Sequence, residues 1–292
     1  MSKLASKAVV AFLFLLTLLA VPAAVLAQLP ASPRRFVDNL DERCYSIAGP
    51  TPNVAPLRLD HLNPVLVQMG LPFEMVTLTS PQKFCTPVMK NGIAPPADTL
   101  PFIQALDWEC YGITGPALNL PLALTQLNPV ISGLLGANVG VTVQEPQQLC
   151  VPVAKTTANP PPNVLALIQY MDVKCYRVTT TVNQSATLSL SHLNPLFSTL
   201  PSEFSTIGPA PQQLCVPVTK NQAVIPMAVR PYVRFSDVLC YPATGAPLGR
   251  NLTLRHLNPL LAGLPPETDF VNNSLQLCVP VAKNGMFPPG IQ

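Results

Sequence analysis

Two cysteine-centred signatures recur four times along the chain at an interval of about 65 residues, and a period of that length means repeated structural units. The first, Asp-x-x-Cys-Tyr, is centred on Cys44, Cys110, Cys175 and Cys240. The second, Cys-x-Pro-Val-x-Lys, runs from Cys85 to Lys90, Cys150 to Lys155, Cys215 to Lys220 and Cys278 to Lys283. The chain therefore reads as four tandem modules, 28–97, 98–162, 163–228 and 229–292, behind a leader over 1–27.

The leader carries Lys3 and Lys7, then an apolar run from Ala8 to about Ala20, and closes on Val25-Leu26-Ala27. That is the pattern of a secretory signal peptide. Pro22 and the small-residue end argue against an uncleaved anchor. No later segment reaches the roughly 18 apolar residues that span a bilayer. The expected location is outside the cytoplasm: periplasmic, cell-surface or extracellular.

Eight cysteines in an exported chain read as a disulfide framework. The repeat leaves two regular schemes. One pairs Cys44–Cys85, Cys110–Cys150, Cys175–Cys215 and Cys240–Cys278 within modules. The other joins neighbours through Cys85–Cys110, Cys150–Cys175 and Cys215–Cys240 and leaves Cys44 and Cys278 over. Loop entropy separates them by only a few tenths of a kcal/mol. A unit of about 65 residues buries little surface and gains from its own staple, which favours the first.

Each module has one grammar. A strand carries Cys-Tyr, and a second, alternating strand follows, as at Leu57-Arg58-Leu59. Then come His61-Leu62-Asn63-Pro64 and its equivalents ending Asn128-Pro129, Asn194-Pro195 and Asn258-Pro259. Asn before Pro reads as an N-cap followed by the first helical residue. Apolar residues four apart (Val65/Met69, Val130/Leu134, Leu196/Leu200, Leu260/Leu264) predict the docked face of one short helical turn. A third strand leads to the one bearing Leu-Cys-x-Pro-Val-x-Lys, whose internal proline predicts an edge or a bulge. Pro95-Pro96, Pro160-Pro161-Pro162, Pro226 and Pro231 read as short, stiff linkers. The fold expected is all-β: four small disulfide-stapled modules, sandwich or barrel-like, each with one helical turn.

Spacing suggests one contact. Asp41, Asp107, Asp172 and Asp237 lie three before the first cysteine, and Lys90, Lys155, Lys220 and Lys283 lie five after the second. If the two cysteine strands are antiparallel with cysteines opposed, each Lys is the diagonal neighbour of the position facing Asp. The alternative is solvated strand-end charges.

The chemistry is sparse. With Lys3 and Lys7 removed, the 17 basic and 14 acidic side chains of the full chain nearly balance, which gives no pull toward nucleic acid. Only 11% of residues are charged and 48% are apolar, enough to build cores and to leave an adhesive surface prone to self-association. A zinc site needs three or four converging ligands. His61, His192 and His256 offer one per module, with Gln126 in the remaining slot, so a structural hydrogen bond is expected and no metal or other cofactor. Tyr45, Tyr111, Tyr176 and Tyr241 are expected to pack under the sheet. No catalytic constellation is visible.

Cys-Tyr at the start and Leu-Cys-x-Pro-Val-x-Lys at the end resemble a family of repeated domains in secreted bacterial proteins of uncharacterised function. The resemblance covers most of the mature chain and implies no activity, and His-Leu-Asn-Pro and the low charge depart from it. The expected role is non-enzymatic binding or scaffolding of an extracellular or envelope ligand through repetition. The alternative is a secreted hydrolase or inhibitor with its site in module-specific loops such as 72–77 or 266–273.

Overall fold

The register of the cysteine strands decides the architecture. In the computed structural model, which describes residues 29–155 and 159–291, Cys44 faces Cys85, Cys110 faces Cys150, Cys175 faces Cys215 and Cys240 faces Cys278 across antiparallel strand pairs. Each facing pair is a disulfide. The proposed leader lies outside the described residues.

Four strands belong to the first repeat: β1 (Glu42–Ala48), β2 (Leu57–His61), β3 (Glu74–Val76) and β4 (Pro81–Lys90). The second has β5 (Asp107–Gly112), β6 (Leu120–Gln126) and the long β7 (Asn138–Lys155). The third has β8 (Val173–Thr179), β9 (Ala186–His192), β10 (Glu203–Ile207) and β11 (Gln213–Lys220). The fourth has β12 (Val238–Pro242), β13 (Arg250–His256) and the long β14 (Glu267–Lys283).

The repeats do not form four separate sandwiches or barrels. The two cysteine strands of every repeat pair with those of the next, in the order β1-β4-β5-β7-β8-β11-β12-β14, and β14 pairs back onto β1. The result is one closed eight-stranded antiparallel barrel, which removes the edges that a small sheet would expose. The second strand of each repeat, with the third, forms an arm. That arm pairs with the end of a cysteine strand two repeats away: β2 on β11, β6 on β14, β9 on β4 and β13 on β7.

This handover corrects the reading of the internal proline. Pro87 sits in a fully flanked strand, not at an edge. β4 pairs with β5 as far as Cys85 and with β9 from Val88 onward. Proline occupies the residue where one neighbour replaces the other, so its missing N–H costs no ladder bond. Its carbonyl accepts from Leu193 N at 2.9 Å, and Pro152, Pro217 and Pro280 accept equivalently from Leu257, Leu62 and Leu127.

Strand alternation divides the core. All eight cysteines share one cluster with Trp108, Val173 and Val238, and neighbouring disulfides approach to 3.6–3.9 Å between sulfurs. Because it is fed by all eight strands, this is the barrel interior. Short helices at Pro33–Val37, Leu100–Ile103, Pro162–Ile168 and Arg230–Val233 close one end with Phe36, Phe102, Leu167 and Tyr232. The last three of these helices begin after or within the prolines read as linkers, and each repeat holds a helical element beyond the one expected. The opposite strand face, including Tyr45, Tyr111, Tyr176 and Tyr241, packs under the arms in two further clusters. Among the described residues, no helix is long and apolar enough to cross a membrane.

Candidate functional site

Two features repeat around the ring, and both join residues from different repeats. The first is a buried seam. Antiparallel strands with opposed cysteines bring Lys90 onto Asp41, Lys155 onto Asp107 (2.5 Å), Lys220 onto Asp172 and Lys283 onto Asp237. All eight are buried rather than solvated. The asparagine of the following repeat completes each pair. Asn128 Nδ2 donates to Asp41 (3.1 Å), Asn194 to Asp107 (2.9 Å), Asn258 to Asp172 (2.6 Å), and Asn63 to Asp237 closes the ring. The same asparagines cap a turn, their Oδ1 accepting from the N–H of Val65, Val130, Leu196 and Leu260. Burial opposes ionisation here: it holds the four lysines below their ordinary range and raises the aspartates, Asp237 to about 6.

The capped turns dock on a face only partly the one expected. Leu66, Ile131, Phe197 and Leu261, three residues beyond each asparagine, are buried in all four turns, and of the expected residues Val65 is buried while Val130, Leu200 and Leu264 are partly buried against the core. Met69, Leu134, Leu196 and Leu260 are exposed. The cap fixes the direction of the first turn, and that turn aims its third residue at the core. Val130, Leu196 and Leu260 are thereby left on the rims of grooves beside the seams of Asp41, Asp107 and Asp172, with cavities of 250, 160 and 170 Å³. Prolines and aliphatic side chains line most of each groove, with the buried Asp–Lys pair at one wall.

The second feature is a slot under each arm. It takes the residue before the first cysteine from one repeat, a third-strand residue from the repeat two away, and the residue five after the first cysteine from the preceding repeat. Arg43 pairs with Glu203, and a Cβ on Gly245 would overlap the guanidinium. Lys174 pairs with Glu74 at 2.6 Å, and Gly115 leaves room for that carboxylate. In a third slot Leu239 and Val139 are both buried in one apolar cluster, and Thr180 stands where the others have glycine. Glu203, Glu74 and, in the remaining slot, Glu267 face equivalent leucines, Leu190, Leu59 and Leu254, across their arms, which fixes the correspondence.

The remaining slot joins like charges. Glu109 comes from β5, Glu267 and Asp269 come from β14, and one carboxylate oxygen of each lies within 4.8 Å of the other two. Asp269 approaches so closely over Gly49 that a Cβ there would overlap its Oδ1. Burial, then the mutual repulsion of the acids, drives Glu109 well above the usual carboxylate range, and burial raises Asp269 and Glu267.

The histidines line the same slots. His192, His61 and His256 Nε2 bond to the hydroxyls of Tyr45, Tyr176 and Tyr111 at 3.0, 3.2 and 2.9 Å. Gln126 does so for Tyr241 at 2.7 Å. Burial depresses the imidazoles, His61 to about 3 and His192 and His256 to about 4, so they are neutral at pH 7. The slot acids escape the sequence reading because their partners lie two repeats away. The visible signal is the run Arg43, Glu109, Lys174, Leu239 ahead of the first cysteines, where charge sign changes at a fixed position. No family model matches this chain, and no curated protein or solved structure is significantly similar to it.

Proposed function

We propose that the protein is exported and acts outside the cytoplasm as a non-enzymatic binding or scaffolding protein. The supporting observation is that one groove, apolar with a buried ion pair at its wall, recurs beside successive seams of a barrel closed by four disulfides. Equivalent grooves on a stiff frame suit multivalent capture of a repeating envelope or extracellular polymer, where avidity multiplies weak contacts. Four disulfides accord with an oxidising compartment.

The experiment is co-sedimentation of the oxidised mature chain (28–292) with bacterial envelope sacculi and surface polysaccharide. Saturable binding is expected, weakened stepwise as the exposed rim residues Leu196 and Leu260 are changed to Arg singly and together. Release of soluble fragments from the sacculi would replace this reading with the hydrolase alternative, and absence of saturable binding would remove it.

A further inference from the structure

We infer that the slot formed by Glu109, Glu267 and Asp269 is a binding site for one hard divalent cation, calcium in the first instance. This goes beyond the grooves and does not depend on what they bind.

Three observations carry the inference. First, the acids are not a solvated surface cluster. Glu109 and Asp269 are 0% exposed, and the hydrogen-bonding neighbours of the Glu109 carboxylate are Asp269 and the Tyr111 hydroxyl, neither of them a cationic partner. A buried carboxylate without a cationic partner costs several kcal/mol and is retained only with compensation. Second, Glu109 reaches the Glu267–Asp269 pair from another strand and another repeat, so its convergence is a product of the fold and not of sequence proximity. Third, the molecule shows what fills this slot elsewhere. The residue equivalent to Glu109 is Arg43 in one copy and Lys174 in another, and each lays its cationic head against the residue equivalent to Glu267. The fourth copy is apolar on both sides, Leu239 with Val139. Two slots thus pair a cation with an acid, one is apolar on both sides, and the last presents three acids where its two charged equivalents hold a positive charge. Gly49 keeps the space over Asp269 clear, as Gly245 does over Arg43.

The donor set selects the ion. The converging donors are carboxylate oxygens alone, with no histidine among them, and such a set suits hard cations. Oxygens on opposite sides of a calcium ion lie about 5 Å apart, twice a bond of about 2.4 Å. The separations within 4.8 Å fall inside that span.

The test uses the intact oxidised mature chain, stripped with EDTA and titrated with calcium chloride by calorimetry and by thermal unfolding. One calcium per chain and a rise in Tm are expected. Glu109→Lys installs the cation that Lys174 supplies in the equivalent slot. It should unfold in EDTA at a temperature no lower than the calcium-loaded wild type and show no calcium response. Glu267→Gln, at the partly buried rim, is the milder variant and should weaken calcium binding at least about tenfold. No saturable calcium binding by the wild type, or binding that either variant leaves intact, would overturn the assignment. Glu109 and Asp269 would then be a carboxyl pair sharing a proton.

Discussion

Lys83 is where the fourfold pattern of the barrel interior fails at single-residue scale. Two positions before each second cysteine stand Lys83, Gln148, Gln213 and Gln276, all buried. Lys83 Nζ donates to Gln213 Oε1 at 2.5 Å and Gln276 Oε1 at 2.8 Å. Amide oxygens do not repay an ammonium for lost water, and burial brings its pKa down to about 7. In the unfolded chain the same group titrates near 10.4. Between those values the unfolded state binds more protons, so this residue's contribution to stability rises with pH. Below the folded value both states are charged and the full cost is present. Lys83→Gln, which completes a ring of four glutamines, should stabilise the protein near pH 6, and its advantage should shrink by up to about 1.4 kcal/mol per pH unit above pH 7. Urea unfolding of both proteins across that range measures it, and an advantage independent of pH would refute it.

At the scale of elements, the asparagine turn couples neighbouring repeats. Asn194 caps the turn at Pro195–Phe197 and also donates to Asp107 of the previous repeat. Asn194→Ala should therefore cost more than a cap. About 1 kcal/mol for the cap and about 1.5–3 for a hydrogen bond to a buried charge give a loss of about 2.5–4 kcal/mol. A denaturation midpoint corresponding to the cap alone would show that the link to Asp107 is energetically idle. The cap and the Asp107–Lys155 pair are legible in sequence because both follow from spacing within one repeat: Asn before Pro, and Asp and Lys at fixed offsets from opposed cysteines. The partner of Asn194 is not legible, since nothing in its own repeat names the preceding Asp. The helix at Leu100–Ile103 is hidden for another reason. Four residues after a proline pair span barely one turn, too short for a helical period to register. The edge reading of Pro152 fails because β7 exchanges β8 for β13 at that point, a circumstance only the assembled ring creates.

Across the whole molecule, staples within repeats do not make the repeats independent. Each disulfide closes a loop inside one repeat. Every arm nevertheless finds its sheet partner two repeats away, and every cysteine-strand pair is flanked by its neighbours. A cut between 162 and 163 tests this arrangement most severely. It separates all four arms from their partners at once: β2 from β11, β9 from β4, β6 from β14 and β13 from β7. It also breaks the barrel at β7–β8 and β14–β1. Each half keeps two correct disulfides but loses the cover over its tyrosine face and the closure of its interior. We expect oxidised 28–162 and 163–292 each to lack fixed tertiary structure alone, with collapsed near-ultraviolet circular dichroism. An equimolar mixture should recover the signal of the full chain, because the missing contacts are complementary. The uncut chain should unfold in one cooperative transition. A single half that gives a dispersed amide spectrum by NMR would mean the repeats fold in pairs, with the arms added to a core that is already stable.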